Sequence, residues 1–134
     1  MDDLFDKIIR GDVPSEKIYE DEYTYAFLDI NPNNPGHTLV VPKVHSTNVL
    51  DITEDDWVHL MKTVRLLAPK VKEAMEADGV HVYMNNEPTA FQEIMHTHVH
   101  IIPRHKGDGF HPWKGTPYSS EEISKVGDAI RALL

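Results

Sequence analysis

The chain has 134 residues, no cysteine, and 22 acidic against 13 basic side chains, for a formal net charge of −9. That length fits one domain with its own core, and the missing cysteine removes disulfides and zinc–thiolate sites together. The charge argues against a broad grip on DNA or RNA, whose phosphates are neutralised by lysine and arginine, although a local cluster can still hold one small phosphate. The start, MDDLFDKIIRGD, lacks the basic opening and continuous apolar stretch of a secretory signal. No run approaches a membrane span, so a cytoplasmic protein is expected.

Leu4, Phe5, Ile8 and Ile9 recur at helical spacing and stop at Gly11, which predicts a short helix over residues 2–10 with Asp2, Asp3 and Asp6 as a solvated end rather than a metal cluster. Residues 17–30 alternate and are rich in aromatics, as two strands meeting at a turn near Asp21 and Glu22. After the breaker NPNNPG, the stretch 37–43 predicts a strand buried on both faces through Leu39, Val40 and Val41. Thr53, followed by Glu54, Asp55 and Asp56, starts a long helix whose core face is Trp57, Leu60, Met61, Val64, Val71 and Met75; it is expected to kink at Pro69 and end near Gly79. Two more strands are predicted over 80–85 and 94–104. Ser119 with Glu122 reads as a capping box, opening a terminal helix that buries Ile123, Val126, Ile130 and Leu133. Strands joined by short connections, with one long helix between them, make an α+β single domain with an antiparallel sheet of about five strands.

Three histidines at two-residue spacing, His96, His98 and His100, occupy the run IMHTHVHIIPR. On a strand that spacing sends all three imidazoles to one face. Histidine accepts, donates or carries a proton, attacks as a nucleophile or binds a metal near neutral pH, so the row reads as a chemical site. Same-face neighbours lie roughly 6.6 Å apart at Cα and the outer pair roughly 13 Å, too far for all three to share a zinc ion that holds nitrogen at about 2.0–2.1 Å. A phosphate ester or anhydride suits the row better, because each imidazole can address a different atom.

The string HTHVHII followed by PR resembles the histidine-triad signature, His-φ-His-φ-His-φ-φ with φ apolar, of the HIT family of nucleotide hydrolases and transferases; Thr97 is its one departure. The resemblance continues in Gln92 and Asn85, in PGHTLVVPKVH around His37 and His45, in FLDINP around Asp29 and in LFDKIIRGDVPSEKIYED. It spans roughly residues 2–104 and leaves 105–134 as a C-terminal extension of the same domain. It implies that His98 attacks the α-phosphorus and becomes covalently nucleotidylated, its other nitrogen held by the carbonyl of His96. It further implies that His100 contacts the phosphate while His96, His37 and Gln92 serve phosphate and leaving group. By the same resemblance Asp29 takes the ribose hydroxyls, Leu4, Phe5, Ile8, Phe27 and Ile30 form the base slot, and Asn85 binds substrate.

The implied enzyme is a hydrolase of purine nucleoside phosphoramidates or dinucleoside polyphosphates, working as a homodimer. No cofactor is required, although a divalent metal can accompany a polyphosphate substrate. His100 stands where the uridylyltransferase branch typically carries glutamine, which favours the hydrolase branch. Glu87 and Phe91 stand where close relatives usually carry glycine, and Glu93 where many carry serine; these departures bear on the leaving-group pocket.

Two other functions fit parts of the pattern. One is a metal-dependent hydrolase using His96, His98 and a remote ligand; the other is a nucleotide-binding or interaction module with little turnover. His45, His59, His81, His105 and His111 read as ordinary surface or packing residues, and Asp29 could simply begin a turn.

Overall fold

The structure, a computed structural model, describes residues 2–134. Helix α1 (Leu4–Arg10) opens with a reciprocal capping box: Asp6 N–H donates to the Asp3 carboxylate at 2.8 Å, and Asp3 N–H to the Asp6 carboxylate at 3.1 Å. Strands β1 (Lys17–Glu20) and β2 (Thr24–Leu28) meet at a turn where Asp21 accepts from the N–H groups of Tyr23 and Thr24, each at 2.8 Å. Strand β3 (Thr38–Pro42) is buried throughout, as its continuous apolar run predicts. Helix α2 (Glu54–Ala74) follows its Thr53 cap and continues through Pro69 without a break. Strands β4 (Gly79–Tyr83) and β5 (Val99–Arg104) and helix α3 (Ser120–Arg131) complete the chain.

The sheet order is β1-β2-β3-β5-β4, and every neighbouring pair is antiparallel. Alternation divides the core between its faces. Ala26, Val40, Val99 and Ile101 pack against Leu60, Val64, Leu67 and Val71 of α2, whereas Tyr25, Phe27, Leu39 and Val41 pack against Phe5 and Ile8 of α1. The register brings Phe27, Leu39, His100 and Tyr83 directly opposite one another on four successive strands, so one cross-strand row carries both apolar wall and imidazole. Among the described residues no helix is long and apolar enough to cross a membrane.

Four expectations require correction. Helix α2 stops at Ala74, five residues before Gly79, because Glu76 turns left-handed at φ 50° while Ala77 N–H reaches back to the Lys72 carbonyl. Met75 instead packs on Gly36, where an added Cβ would lie 2.6 Å from the methionine Cγ. Strand β5 begins at Val99, not residue 94, so His96 and His98 precede it. Extending the β3–β5 register two residues past its last observed pair, Val40 with Val99, sets Thr97 against Pro42, which has no N–H to give; Thr97 N–H bonds the Ser46 carbonyl at 2.8 Å instead. The Ser119 hydroxyl caps Glu122 N–H at 3.2 Å, half of the expected box, and α3 buries none of its residues. Ile123, Val126, Ile130 and Leu133 are all solvent-exposed.

Candidate functional site

Helix α1, the ends of β2 and β3, strand β4 and the segment before β5 enclose a cavity of about 580 Å³, within the range of small-ligand sites. Its lining brings together Leu4, Phe5, Ile8, Phe27, Asp29 and Ile30 with His37, His98, His100 and Asn85. Tyr83, Phe91 and Glu93 also face it. Of the residues singled out in the sequence, His96 and Gln92 do not line it.

His98 is fixed from behind. Its Nδ1 lies 2.7 Å from the His96 carbonyl oxygen, which can only accept, so Nδ1 carries the proton and Nε2 keeps its lone pair. Phe5 presses edge-on against the His98 ring, with centroids 5.1 Å apart, and orients it further. Burial lowers the basicity of His98; the bond to His96 and the charges of Asp29 and Glu93 oppose this, while the His96 charge adds to it. A neutral imidazole with a free Nε2 facing a cavity is the form that can attack an electrophile.

A second chain of hydrogen bonds fixes the other tautomers. Asn33 N–H donates to His37 Nδ1 at 3.1 Å, which leaves the His37 proton on Nε2. That nitrogen lies 2.9 Å from His100 Nδ1 and donates to it, so His100 carries its own proton on Nε2. His100 Nε2 is the one buried side-chain polar atom among the described residues without a partner. A buried N–H calls for an acceptor, and a phosphate oxygen can supply one. Burial, then the neighbouring His98 and His37, pushes His100 down to about 3, and burial lowers His37 as well, with Asp29 opposing. Tyr83 stacks flat on His100, centroids 4.6 Å apart and 12° between planes.

His96 occupies a different environment. Its ring is fully buried, with Nε2 2.9 Å from the Pro42 carbonyl and Nδ1 2.9 Å from the Asp3 carboxylate, and it meets the Phe5 ring edge-on at 5.7 Å between centroids. Asp3 is therefore a partner of the first triad histidine, and the reading of the acidic helix start as merely solvated is corrected. Burial works against ionisation of Asp3, but the Asp6 N–H bond and His96 and His45 outweigh it and lower its pKa. Asp3, Asp6, His45 and His96 offer ligand atoms within 4.8 Å of one another, as do Asp29, His37 and His100; among the described residues these are the two groups whose geometry would suit a cation. Gln92 ties loops together: its amide donates to the carbonyls of Thr47 and Ile94 and accepts from Asn48 and Glu87 N–H. Asp29 accepts from Asn31 N–H at 2.9 Å, as a turn residue does, and it also lines the cavity.

Sequence reasoning passed over Asp3, His45 and Tyr83. The spacing of Asp3 and Asp6 fits a capping pair, and Tyr83 ends β4 two residues before Asn85, but neither signal points to a site by itself.

An antiparallel five-stranded sheet with a backbone-held imidazole at a nucleotide-sized cleft places the molecule among the histidine-triad folds. A family model of the HIT domain matches residues 10–107, and the chain belongs to the HIT family. It is 41% identical to Protein hit of Bacillus subtilis over 131 residues, covering 95% of this chain and 90% of that one. It is 37% identical to adenosine 5'-monophosphoramidase HNT1 of Saccharomyces cerevisiae over 132 residues, 98% of this chain and 80% of the relative. The crystal structure of SMU.412c from Streptococcus mutans superposes with a TM-score of 0.91 at 38% identity, covering 96% of this chain and 83% of that one.

Proposed function

We propose that the protein is a hydrolase of purine nucleoside phosphoramidates that works through a covalent nucleotidyl-histidine. The observation that carries this reading is the 2.7 Å bond between His98 Nδ1 and the His96 carbonyl, which leaves Nε2 unprotonated at the cavity. In the first step the Nε2 lone pair forms a bond to the α-phosphorus while the P–N bond to the leaving amine breaks. The nitrogen keeps that electron pair and takes a proton from solvent. Water then attacks phosphorus, giving up a proton, and the P–Nε2 electron pair returns to His98.

The unpartnered His100 Nε2–H donates to a non-bridging oxygen, and His37 holds His100 in the tautomer that allows it. Asp29 takes the ribose hydroxyls and Phe5, Ile8 and Phe27 the base. His96 and Gln92 act through the backbone they hold, His96 by its carbonyl. The similarity to an adenosine 5'-monophosphoramidase supports the phosphoramidate class, and dinucleoside polyphosphates are the second substrate class. The working unit is a cytoplasmic homodimer, supported by the uncovered apolar stripe on α3.

Brief exposure to adenosine 5'-phosphoramidate followed by intact-mass measurement tests the chemistry. Wild type gains the mass of an adenylyl group and His98→Gly gains none. Turnover of the same substrate persists after exhaustive chelation. Loss on chelation with rescue by zinc, and no adduct, would establish metal-dependent hydrolysis instead.

A further inference from the structure

His98 depends on a single peptide group, the one that joins His96 to Thr97. Its carbonyl takes the Nδ1 proton of His98 at 2.7 Å, so the plane of that peptide decides both the tautomer and the aim of the ring. The sheet does not hold this group, because β5 begins only at Val99.

A loop holds it from the other edge. In a trans peptide the N–H and C=O point to opposite sides of one rigid plane, and the Thr97 N–H donates to the Ser46 carbonyl at 2.8 Å. A rotation that frees the N–H therefore swings the carbonyl off His98. The side chains reinforce the bond. The Thr97 hydroxyl donates to the same Ser46 carbonyl at 3.3 Å, which leaves its oxygen to accept the Ser46 hydroxyl proton at 2.6 Å. Both residues are buried, Thr97 completely, and they stand 51 positions apart in the chain. At a position where the triad signature is apolar, a lone threonine hydroxyl would be sealed in the interior without a hydroxyl partner; Ser46 supplies one.

Ser46 is anchored in turn. Thr47 N–H donates to both carboxylate oxygens of Asp51, at 2.9 and 3.1 Å, and Asn48 N–H to one of them at 3.0 Å. The Gln92 amide donates to the Thr47 carbonyl at 2.6 Å and accepts from the Asn48 side chain at 3.0 Å. The triad segment is thus braced against a loop that is fixed by its own hydrogen bonds.

We propose that Ser46 and Thr97 are positioning residues for the nucleophile, their hydroxyl pair locking the 96–97 peptide so that His98 keeps its proton on Nδ1 and presents its Nε2 lone pair to phosphorus. This rests on the nucleotidyl-histidine reading and adds two residues that lie outside the cavity lining. The bonds made and broken at phosphorus are those already described.

A pair of variants separates positioning from stability. Thr97→Val leaves the Ser46 hydroxyl without its partner and lowers the thermal midpoint, whereas adding Ser46→Ala removes the orphaned group and recovers most of that loss. The rate of adenylyl-His98 formation does not recover. Followed by intact mass in a single turnover of adenosine 5'-phosphoramidate, it falls about fivefold in both variants, the rate equivalent of one neutral hydrogen bond, with the half-saturating substrate concentration unmoved. Thr97→Ser keeps the hydroxyl and restores the rate. In nitrogen NMR spectra at about pH 8, wild-type His98 is a single Nδ1–H tautomer, and both valine variants gain the Nε2–H form. A rate that recovers with the midpoint in the double variant, rates unmoved in both, or an unchanged His98 tautomer would overturn the clamp and leave the hydrolase intact. No adduct on wild type would overturn the nucleotidyl-histidine reading and the clamp's role in catalysis together.

Discussion

His98 depends on staying neutral, and the two imidazoles nearest it are depressed by the same burial. His98 and His37 are lowered from an ordinary 6.5, and His100 is pushed down to about 3. A nucleophile of depressed basicity keeps its lone pair in mild acid, so kcat/KM for a phosphoramidate holds its plateau below pH 6.5 instead of falling there, as a pH–rate profile will show. Stability moves in the opposite sense. The unfolded imidazoles take protons as pH falls through 6.5 while the folded ones do not, so the urea midpoint drops progressively from pH 6.5 towards about 3. Asp3 is the other decisive single residue. Asp3→Ala removes a helix cap and leaves a buried His96 nitrogen unpaired, which together cost about 2–4 kcal/mol in chemical denaturation; Asp3→Asn keeps the cap and loses less. That pairing was illegible in the sequence because its partners stand 93 positions apart and each has a sufficient local explanation. The row around His98 was legible in part: two-residue spacing does bring His98 and His100 to one cavity, with ring centroids 5.0 Å apart. His96 leaves the row because its ring is drawn to Asp3 and Pro42.

At the scale of elements, the triad segment and the loop before it are set by backbone chemistry that side-chain periodicity does not record. A period of two reports which way residues point in a strand, not where a ladder runs out of donors, and the missing N–H of Pro42 ends pairing short of the first two triad histidines. The 3₁₀ turn at Pro88–Ala90 is flanked by two strained positions, Glu87 at φ 78° and Phe91 at φ 70°. The family resemblance implies glycine at both positions, so the departure in sequence becomes a conformational cost. Glu87 has the larger share, since its ψ of 154° completes a combination that is nearly exclusive to glycine. Glu87→Gly therefore stabilises the protein by about 1 kcal/mol, despite the greater freedom glycine gives the unfolded chain, and a rise in thermal midpoint measures it. The side-chain bond from Gln92 to Glu87 N–H at 2.8 Å resists that strain, which gives Gln92 a positioning role in the loop.

At the scale of the whole molecule, the class, strand count and single long helix were legible because the alternation that separates the two faces of the sheet is the alternation that builds its two cores. The fate of α3 was not, because helical amphipathicity identifies a face that must be covered and is silent about whether the cover belongs to the same chain. Ile123, Val126, Ile130 and Leu133 lie on that face, and nothing in the described chain packs over it. Two copies of a chain of net charge −9 repel each other, so a dimer has to be held by apolar surface against that repulsion. Its salt dependence then has a definite sign. Raising sodium chloride from about 50 to 500 mM shortens the screening length from roughly 14 to 4 Å, which removes repulsion and leaves the apolar contact in place. Sedimentation velocity should therefore show the dimer tightening with salt, whereas a dimer made of ion pairs would loosen. Placing aspartate at both Ile123 and Ile130 should yield a monomer at either salt concentration with helical circular dichroism retained, because both positions are exposed in the single chain. A dimer that survives both substitutions would have its interface elsewhere, with the edge strand β4 the next face to probe.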